Sequence, residues 1–326
     1  MMDMAAFAAP SSTGPLARSR TLARQCSVHF SAPGNSPTFM DFRTIGLFAR
    51  VDDERIVATV RALRDHFRVR GVRFMPEDST NFDLFGGDID EVVRRVHDRL
   101  DLGVAVGGDG TMLHLARHFS WTKVPLIGVN LGRLGFLTDI SAERMREEFD
   151  EVLGGSYYSE RRILIRAEVY RDDGLVAEGV ALNDAVVAKG ETGRMIEYSW
   201  WVNDEMVGTT RGDGVIVTTP TGSTAYALSA GGPILHPTLP AISVVPICPH
   251  TVSHRPIVLE DTSVIKLKVT DLAGAGGHLF LDGLDIVALA GNETIIIRKS
   301  EGQSVLIRAG SHNHFEALRS KLGWAG

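Results

Sequence analysis

Between residues 44 and about 155, apolar runs of strand length alternate with amphipathic segments of helical period, and few folds accept that alternation. "TIGLFAR" (44–50) reads as a buried strand, and the next segment, "ERIVATVRALRDHFRVRG", sets Ile56, Val57, Val60, Leu63 and Phe67 at helical spacing. "VRFMPE", "DLGVAVGGDG" and "VPLIGVN" supply further strands; "DIDEVVRRVHDRL", "TMLHLARHF" and "SAERMREEFDEVL" supply helices, the last with Ser141 as its expected N-cap. Strands and helices in this order predict a parallel sheet covered on its faces. Beyond 155 the texture changes to strand after strand, in "RRILIRAEVYRD", "LVAEGVALNDAVVAK", "MIEYSWWVNDEMVGTTRGDGVIVTT", "SVIKLKVTD" and "ETIIIRKS", with "VNDEMV" as a hairpin turn.

The predicted fold is therefore α/β plus β. A Rossmann-like α/β domain (44–155) is joined to a mostly antiparallel β-sandwich domain (156–310); the motif resemblance described below implies an active site between them. A helix within 311–326, in "SHNHFEALRSKLG", is expected to pack back on the first domain. Residues 1–43 are rich in Ala, Ser, Pro and Arg and lack either period. They read as a disordered extension, transit-like or an over-extended start, with Met40 the natural beginning. No internal repeat is evident.

Composition narrows the function. Forty acidic against 34 basic residues give a net charge of −6, which argues against a broad nucleic-acid surface. No apolar run reaches the ~18 residues of a membrane span. The two cysteines, Cys26 and Cys248, have neither metal nor disulfide spacing, as expected of a cytoplasmic protein.

"AVGGDGTMLH" (105–114) follows a strand and opens a helix. Glycines there let backbone approach a ligand, and helix N-terminal amides favour an anion, so Gly107, Gly108, Gly110 and Thr111 suit a di- or triphosphate. A bare Gly-Gly-x-Gly is also an ordinary tight turn. Asp109 tells against that reading, because a carboxylate beside phosphate is repelled unless it works. Accepting the proton of an attacking hydroxyl, or helping to hold Mg²⁺, is such work. There is no P-loop Gly-Lys-Ser/Thr and no dinucleotide Gly-x-Gly-x-x-Gly.

A second glycine-rich stretch, "RGDGVIVTTPTGSTAYALSAGGP" (211–233), offers hydroxyls and Tyr226, which can lie against a base or ribose. Asn183 and Asp184 sit in an apolar run, where they need a turn or a ligand to satisfy them. His114 and His118 are one turn apart without a third ligand, and Cys248, His250 and His254 flank Pro249 in what reads as a structural loop. Asp172, Asp173, Asp282 and Asp285 read as turn residues.

Taken together, "GGDGTMLHLAR", "GVNLGRLGFLTD", "LNDAVV", the 211–233 stretch and "PICPHTVSHRPIVL" resemble the successive signatures of the ATP-NAD kinase family, over residues 44 to 320. The resemblance implies that Asp109 is the general base for the adenosine ribose 2′-hydroxyl of NAD, with ATP as phosphoryl donor and a divalent cation, Mg²⁺, in attendance. It implies NAD contacts at Asp109, Gly110 and His114, adenosine contacts at Asn183 and Asp184, and Arg194, Arg211 and Asp213 lining the same cleft. Thr224, Ala225, Tyr226, Ala227, Leu228 and Ser229 would wrap the ligand. Homo-oligomers, dimers or tetramers with a neighbour reaching the site, are also implied. Many members carry glutamine soon after an acidic residue in a late strand; this chain has Leu284, and that contact is not carried over. The competing readings are a lipid or diacylglycerol-type kinase, which shares the Gly-Gly-Asp-Gly loop, and a dinucleotide sensor without turnover.

Overall fold

The computed structural model describes residues 41–50, 53–75, 82–83, 89–132, 135–190, 194–251, 253–271, 276–310 and 312–324. Of the expected disordered extension, residues 1–40 lie outside the described residues, but 41–43 belong to the fold: Phe42 is buried against Tyr157, and the Arg43 N–H donates to Asp101 at 2.9 Å. The first half runs β1 (Thr44–Ala49), α1 (Glu54–Val69), β2 (Arg73–Met75), β3 (Phe82–Asp83), α2 (Ile89–Val96), β4 (Leu102–Val106), α3 (Asp109–Phe119), β5 (Leu126–Asn130), β6 (Ile140–Ser141) and α4 (Met145–Leu153). Strands β2, β1, β4 and β5 pair side by side and all parallel, as the alternation requires. Successive strand residues face opposite sides. Ile45, Leu47, Leu102 and Val104 therefore pack under α1 and α4, where Phe67 meets Phe149 edge-on at 5.0 Å. On the other face Phe48 and Ala105 pack against α2 and α3.

The second half runs β7 (Tyr157–Arg171), β8 (Gly174–Ala181), β9 (Asp184–Lys189), β10 (Ile196–Val202), β11 (Glu205–Gly212), β12 (Gly214–Thr218), α5 (Tyr226–Ser229), β13 (Ala241–Ile247), β14 (Ile257–Glu260), β15 (Ile265–Asp271), β16 (Gly277–Leu281), β17 (Leu284–Leu289), β18 (Thr294–Ala309) and α6 (His314–Leu322). Six of these strands, in the order β14-β13-β12-β9-β16-β17, make a separate antiparallel sheet. The others extend the first sheet. β18 pairs parallel with β5 at Leu306↔Leu126 and antiparallel with β7 along its length, giving a twelve-stranded sheet. A core of alternating residues, among them Val169, Val187, Val217, Leu267 and Ile297, fills the space between the two sheets. The sandwich expected of the second half is therefore present, and it shares its larger sheet with the α/β half.

Two runs that read as continuous strands change sheet midway. "LVAEGVALNDAVVAK" leaves the larger sheet after Ala181 and enters the smaller one at Asp184; "VGTTRGDGVIVTT" does the same between Gly212 and Gly214. The polar residues at each break are site candidates. Three further expectations need correction. Ser141 does not cap α4: Ile140 and Ser141 pair with β5, and the helix starts at Met145, leaving Ser141 Oγ to accept from the Arg144 N–H at 3.3 Å. The second helix ends at Val96 and tightens into a 3₁₀ turn, His97–Arg99. Asp282 does sit in a hairpin turn with φ 49°, but its carboxylate is buried and employed, as described below.

Asn203 and Asp204, with φ 48° and 67°, form the hairpin turn expected between β10 and β11. At the second sheet change, a Cβ on Gly214 would lie 2.2 Å from the Val187 carbonyl oxygen, and backbone cannot yield as a side chain does. Gly214→Ala is therefore expected to destabilise the fold by ~3 kcal/mol, read as a lowered melting temperature. Gly208→Ala, whose Cβ would meet nothing within 4 Å, should leave it unchanged within ~0.5 kcal/mol. Equal melting temperatures for the two variants would contradict the crowding at the crossover.

Candidate active site

Asp109 is the first residue of α3, at the carboxyl end of β4. Its carboxylate is gripped by the following loop: Phe136 N–H donates to Oδ2 at 2.7 Å, and Leu137 N–H (3.2 Å) and the Thr138 hydroxyl (3.1 Å) donate to Oδ1. The approach is so close that a Cβ on Gly135 would fall 1.6 Å from Oδ1, so only glycine fits there. Thr138 also accepts from Asn130 and from the Gly135 N–H, which locks the loop on itself. Among the described residues no Lys, Arg or His forms an ion pair with Asp109.

The amides of the glycine motif are not equivalent. The buried Gly107 gives its N–H to Val129 O at 2.8 Å, and Thr111 gives its own to Gly108 O at 3.0 Å. Gly108 and Gly110 are exposed, and the helix leaves the first-turn N–H groups of this segment without an intrahelical partner. The open donors thus lie at 108–110, beside the carboxylate.

The first sheet change supplies a second polar cluster. Asp282, on the β16–β17 turn, accepts from the N–H groups of Leu182 (2.9 Å), Asn183 (2.7 Å) and Asp184 (3.2 Å). Arg117 of α3 brings Nε to 3.8 Å of it and lies against Leu281 O and the His114 ring. The loop after β12 closes the other side: Thr219 N–H and the Thr218 hydroxyl donate to Asn183 O, and the Thr219 hydroxyl donates to Leu182 O. Asn183, Asp184 and the 219–224 loop are in this way brought together beside α3.

Electrostatically this is a costly place. Burial, with the Asp282 carboxylate next to it, pushes the Asp184 carboxyl up to about 7. Burial likewise raises Asp282 and lowers Arg117, whose Nε is buried with no hydrogen-bond partner among the described residues. No sequence signal separated Asp282 from the other turn acids, because its partners are backbone amides a hundred residues away.

Other predicted residues lie elsewhere. Asp213 pairs with Lys189 at 2.7 Å, and Arg211 Nε lies 3.9 Å from Glu197. Arg194, exposed, stands just before β10, whose first residue pairs with Gly212. All three occupy the end of β9 and β12 opposite Asp184, about 17 Å away by strand rise. Of residues 224–229, Tyr226 and Ser229 are exposed, whereas Ala227 is packed into a small core on the outer face of the second sheet.

Next to the site runs a groove of about 760 Å³ lined by His114, Arg117, Arg166, Leu284 and Arg298 among others. Its cations are already matched. Arg166 pairs with Glu168 and Glu178, Arg298 with Glu168, Lys299 with Asp261, and His118 with Asp90. Near the second sheet change, His254 is engaged with the Thr210 hydroxyl at 2.9 Å. Among the described residues no three His, Cys, Asp or Glu side chains are grouped to hold a metal ion, and no helix is long and apolar enough to cross a membrane.

The model of the ATP-NAD kinase N-terminal domain matches residues 39–157, and that of the ATP-NAD kinase C-terminal domain matches residues 182–309. Curated relatives include the NAD kinase of Thiobacillus denitrificans, 44% identical over 288 residues, which are 87% of this chain and 97% of that protein. The NAD kinase of Saccharophagus degradans is 41% identical over 285 residues, 87% and 97% of the two chains. Among solved structures, an Archaeoglobus fulgidus NAD kinase in complex with ATP superposes with TM-score 0.66 at 26% identity, over 87% of this chain and all of that one. Yeast NADH kinase complexed with NADH shares the fold, with TM-score 0.75 at 23% identity, over 88% and 89%.

The raised carboxyl of Asp184 has a sign that can be tested. Between pH ~4 and ~7 the unfolded chain releases this proton while the folded chain keeps it. Its contribution to stability is complete below pH ~4 and gone above ~7. Asp184→Asn removes that loss, so relative to the unsubstituted protein the variant should gain about 1–4 kcal/mol between pH 5 and 8.5. Paired thermal or urea melts at the two pH values measure it; a difference that does not change with pH would show that Asp184 ionises normally.

Proposed function

From the premise that the chain belongs to the ATP-NAD kinase family, we propose that it transfers the γ-phosphoryl group of ATP to the 2′-hydroxyl of the adenosine ribose of NAD, giving NADP and ADP. The observation that carries the mechanism is the Asp109 carboxylate, held by three donors beside the open amides of the glycine loop. A carboxylate has about four acceptor positions, so three bonds fix its direction and leave one for the hydroxyl proton. In this role Asp109 takes that proton as the ribose oxygen attacks the phosphorus, and the bond from γ-phosphorus to the bridging oxygen of ADP breaks. Phosphoryl transfer asks the protein mainly for position and charge control. The amides of Gly108 and Gly110 supply donors for the phosphates.

The adenosine end is assigned to Asn183 and Asp184, with Thr224, Ala225 and Tyr226 over it. At neutral pH an Asp184 carboxyl near its midpoint can donate to or accept from a ribose or base. Contact with Arg194, Arg211 and Asp213 requires either an extended dinucleotide running along β9 or a second copy of the chain. A homo-oligomer, dimer or tetramer, belongs to this reading for that reason, and the cytoplasm is its expected place. Mg²⁺ neutralises ATP phosphates and keeps most of its own water. Among the described residues no three His, Cys, Asp or Glu side chains are grouped, so in this reading the cation would be held chiefly by the phosphates of ATP. Both domain models and the curated relatives leave the lipid-kinase and sensor readings without support.

Asp109→Asn tests the reading. It keeps the size of the side chain and one of its two acceptor oxygens, gives up one hydrogen bond to the 136–137 amides, and cannot take the proton. Turnover in a coupled NADP-formation assay should fall ~10²- to 10⁴-fold, with the Kd for NAD within a few-fold by calorimetry. Turnover within a factor of ~3 would remove Asp109 from catalysis.

A further inference from the structure

Two guanidinium groups lie in the interior beneath the site: Arg308 of β18, 1% exposed, and Arg162 of β7, 3% exposed. Both bond to the same carboxylate oxygen, Glu160 Oε2, at 3.0 and 2.5 Å. Arg308 also reaches Asp139 Oδ1 at 2.5 Å, and His312 Nδ1 lies 3.0 Å from that oxygen. Burial alone would raise the Glu160 carboxyl, but the guanidiniums of Arg162 and Arg308 outweigh it and hold it at about 2. It is an anion at any working pH. Buried ion clusters of this kind add little net stability over apolar packing of the same volume, because desolvation offsets the attraction. What they do well is fix direction.

The direction fixed here is that of the loop on Asp109. Arg308 donates to Phe136 O (3.1 Å) and Leu137 O (3.3 Å) from one side, while the N–H groups of the same two residues donate to Asp109 from the other. The peptide between Phe136 and Leu137 is therefore held at both ends, its carbonyl toward the Arg308 cation and its N–H toward the Asp109 anion. A dipole between opposite charges is aligned and polarised by both. At the far end of the cluster, Arg162 donates to the Thr221 hydroxyl at 3.2 Å, in the loop whose Thr219 grips Asn183 and Leu182.

We propose that Arg308, through Glu160 and Arg162, is the positioning residue of this site: it aims the Asp109 carboxylate through the Phe136–Leu137 peptide and ties that aim to the loop beside Asn183. The effect on turnover rests on the NAD kinase reading; the effect on the loop does not. Arg308→Lys keeps the charge but lacks the planar fork needed to reach two carbonyls and two carboxylates at once. Its kcat for NADP formation should fall about 10- to 100-fold, with KM for NAD within ~3-fold, as expected when a reacting group is misaimed and not lost. Thr221→Ala, at the other end of the cluster, should show the opposite split, a raised KM for NAD with kcat within ~3-fold. In the ligand-free protein, hydrogen exchange at the Phe136 and Leu137 amides should quicken ~10-fold or more in Arg308→Lys, while amides of β13 keep their rates. Should Arg308→Lys fail to fold, Glu160→Gln, of the same shape without the charge, is read by the same kcat and exchange measurements. Unchanged kcat together with unchanged exchange at 136–137 overturns the proposal. Failure of the unsubstituted protein to form NADP overturns the kinase reading instead, and the exchange result then decides the positioning role alone.

Discussion

The long antiparallel pair of β7 and β18 is the constraint on which the site depends. Each strand is too long to belong to one half. The inner part of β18, Thr294–Lys299, faces the sandwich core, whereas Gln303–Ala309 runs beside β5 in the α/β half. The register shifts between Lys299 and Gln303, where the strand passes from one environment to the other. The pairing sets Glu160 opposite Leu306 and Arg162 opposite Ser304. With side chains alternating by two, Glu160, Arg162, Ser304, Leu306 and Arg308 then share one face. That face lies under the two loops that make the site. One hydrogen-bonded ladder thus sets both the junction of the halves and the floor of the cleft.

Polar groups in the cleft come from places where the chain leaves a sheet. At Leu182–Asn183 and at Asp213 the backbone gives up one ladder before entering the next, so its N–H and C=O groups need other partners. Asp282 meets that need for 182–184, and Thr218 and Thr219 meet it for the carbonyls. The price is three ionisable groups, Asp184, Asp282 and Arg117, held with little water. Two acids against one cation leave a shortage of positive charge, and burial keeps Asp184 protonated up to about 7. Such a cluster does not favour folding. It is the kind of arrangement that a polar ligand completes.

Which parts were legible in the sequence follows from this. The α/β half was plain because its strands are buried on both sides and its helices on one, so burial and periodicity coincide: Val60, Leu63 and Phe67 are buried where their spacing put them. The glycine motif was legible because Asp109 is chemically out of place there. The sheet changes were not, since "LVAEGVALNDAVVAK" keeps its apolar character through the break and periodicity carries no information about which sheet a strand joins. Nor was the floor of the site. Glu160, Arg162 and Arg308 occupy alternate positions in strands, the pattern of a solvated face, and only the loops at 136–139 and 221 that fold over that face turn it inward. Ser141 failed as a cap for a related reason: pairing with β5 extended the strand past the residue that local chemistry favoured as a helix start.

Under the proposed mechanism, the same geometry would let one carboxylate serve as both a structural anchor and a base. An aspartate free to rotate would spend much of its time in orientations useless to the ribose, and ordering it on substrate arrival would cost about 1 kcal/mol of side-chain entropy. Here that ordering has been done on folding, by two amides and a hydroxyl whose own positions are set from behind by a buried cation. Donors on a carboxylate also weaken it as a base, so the grip cannot be complete. Three bonds over four acceptor positions is the compromise, stiff enough to aim one lone pair and loose enough to let it take a proton. Gly135 is the residue that makes the compromise possible, because any side chain there would push the loop back and leave the carboxylate unaimed.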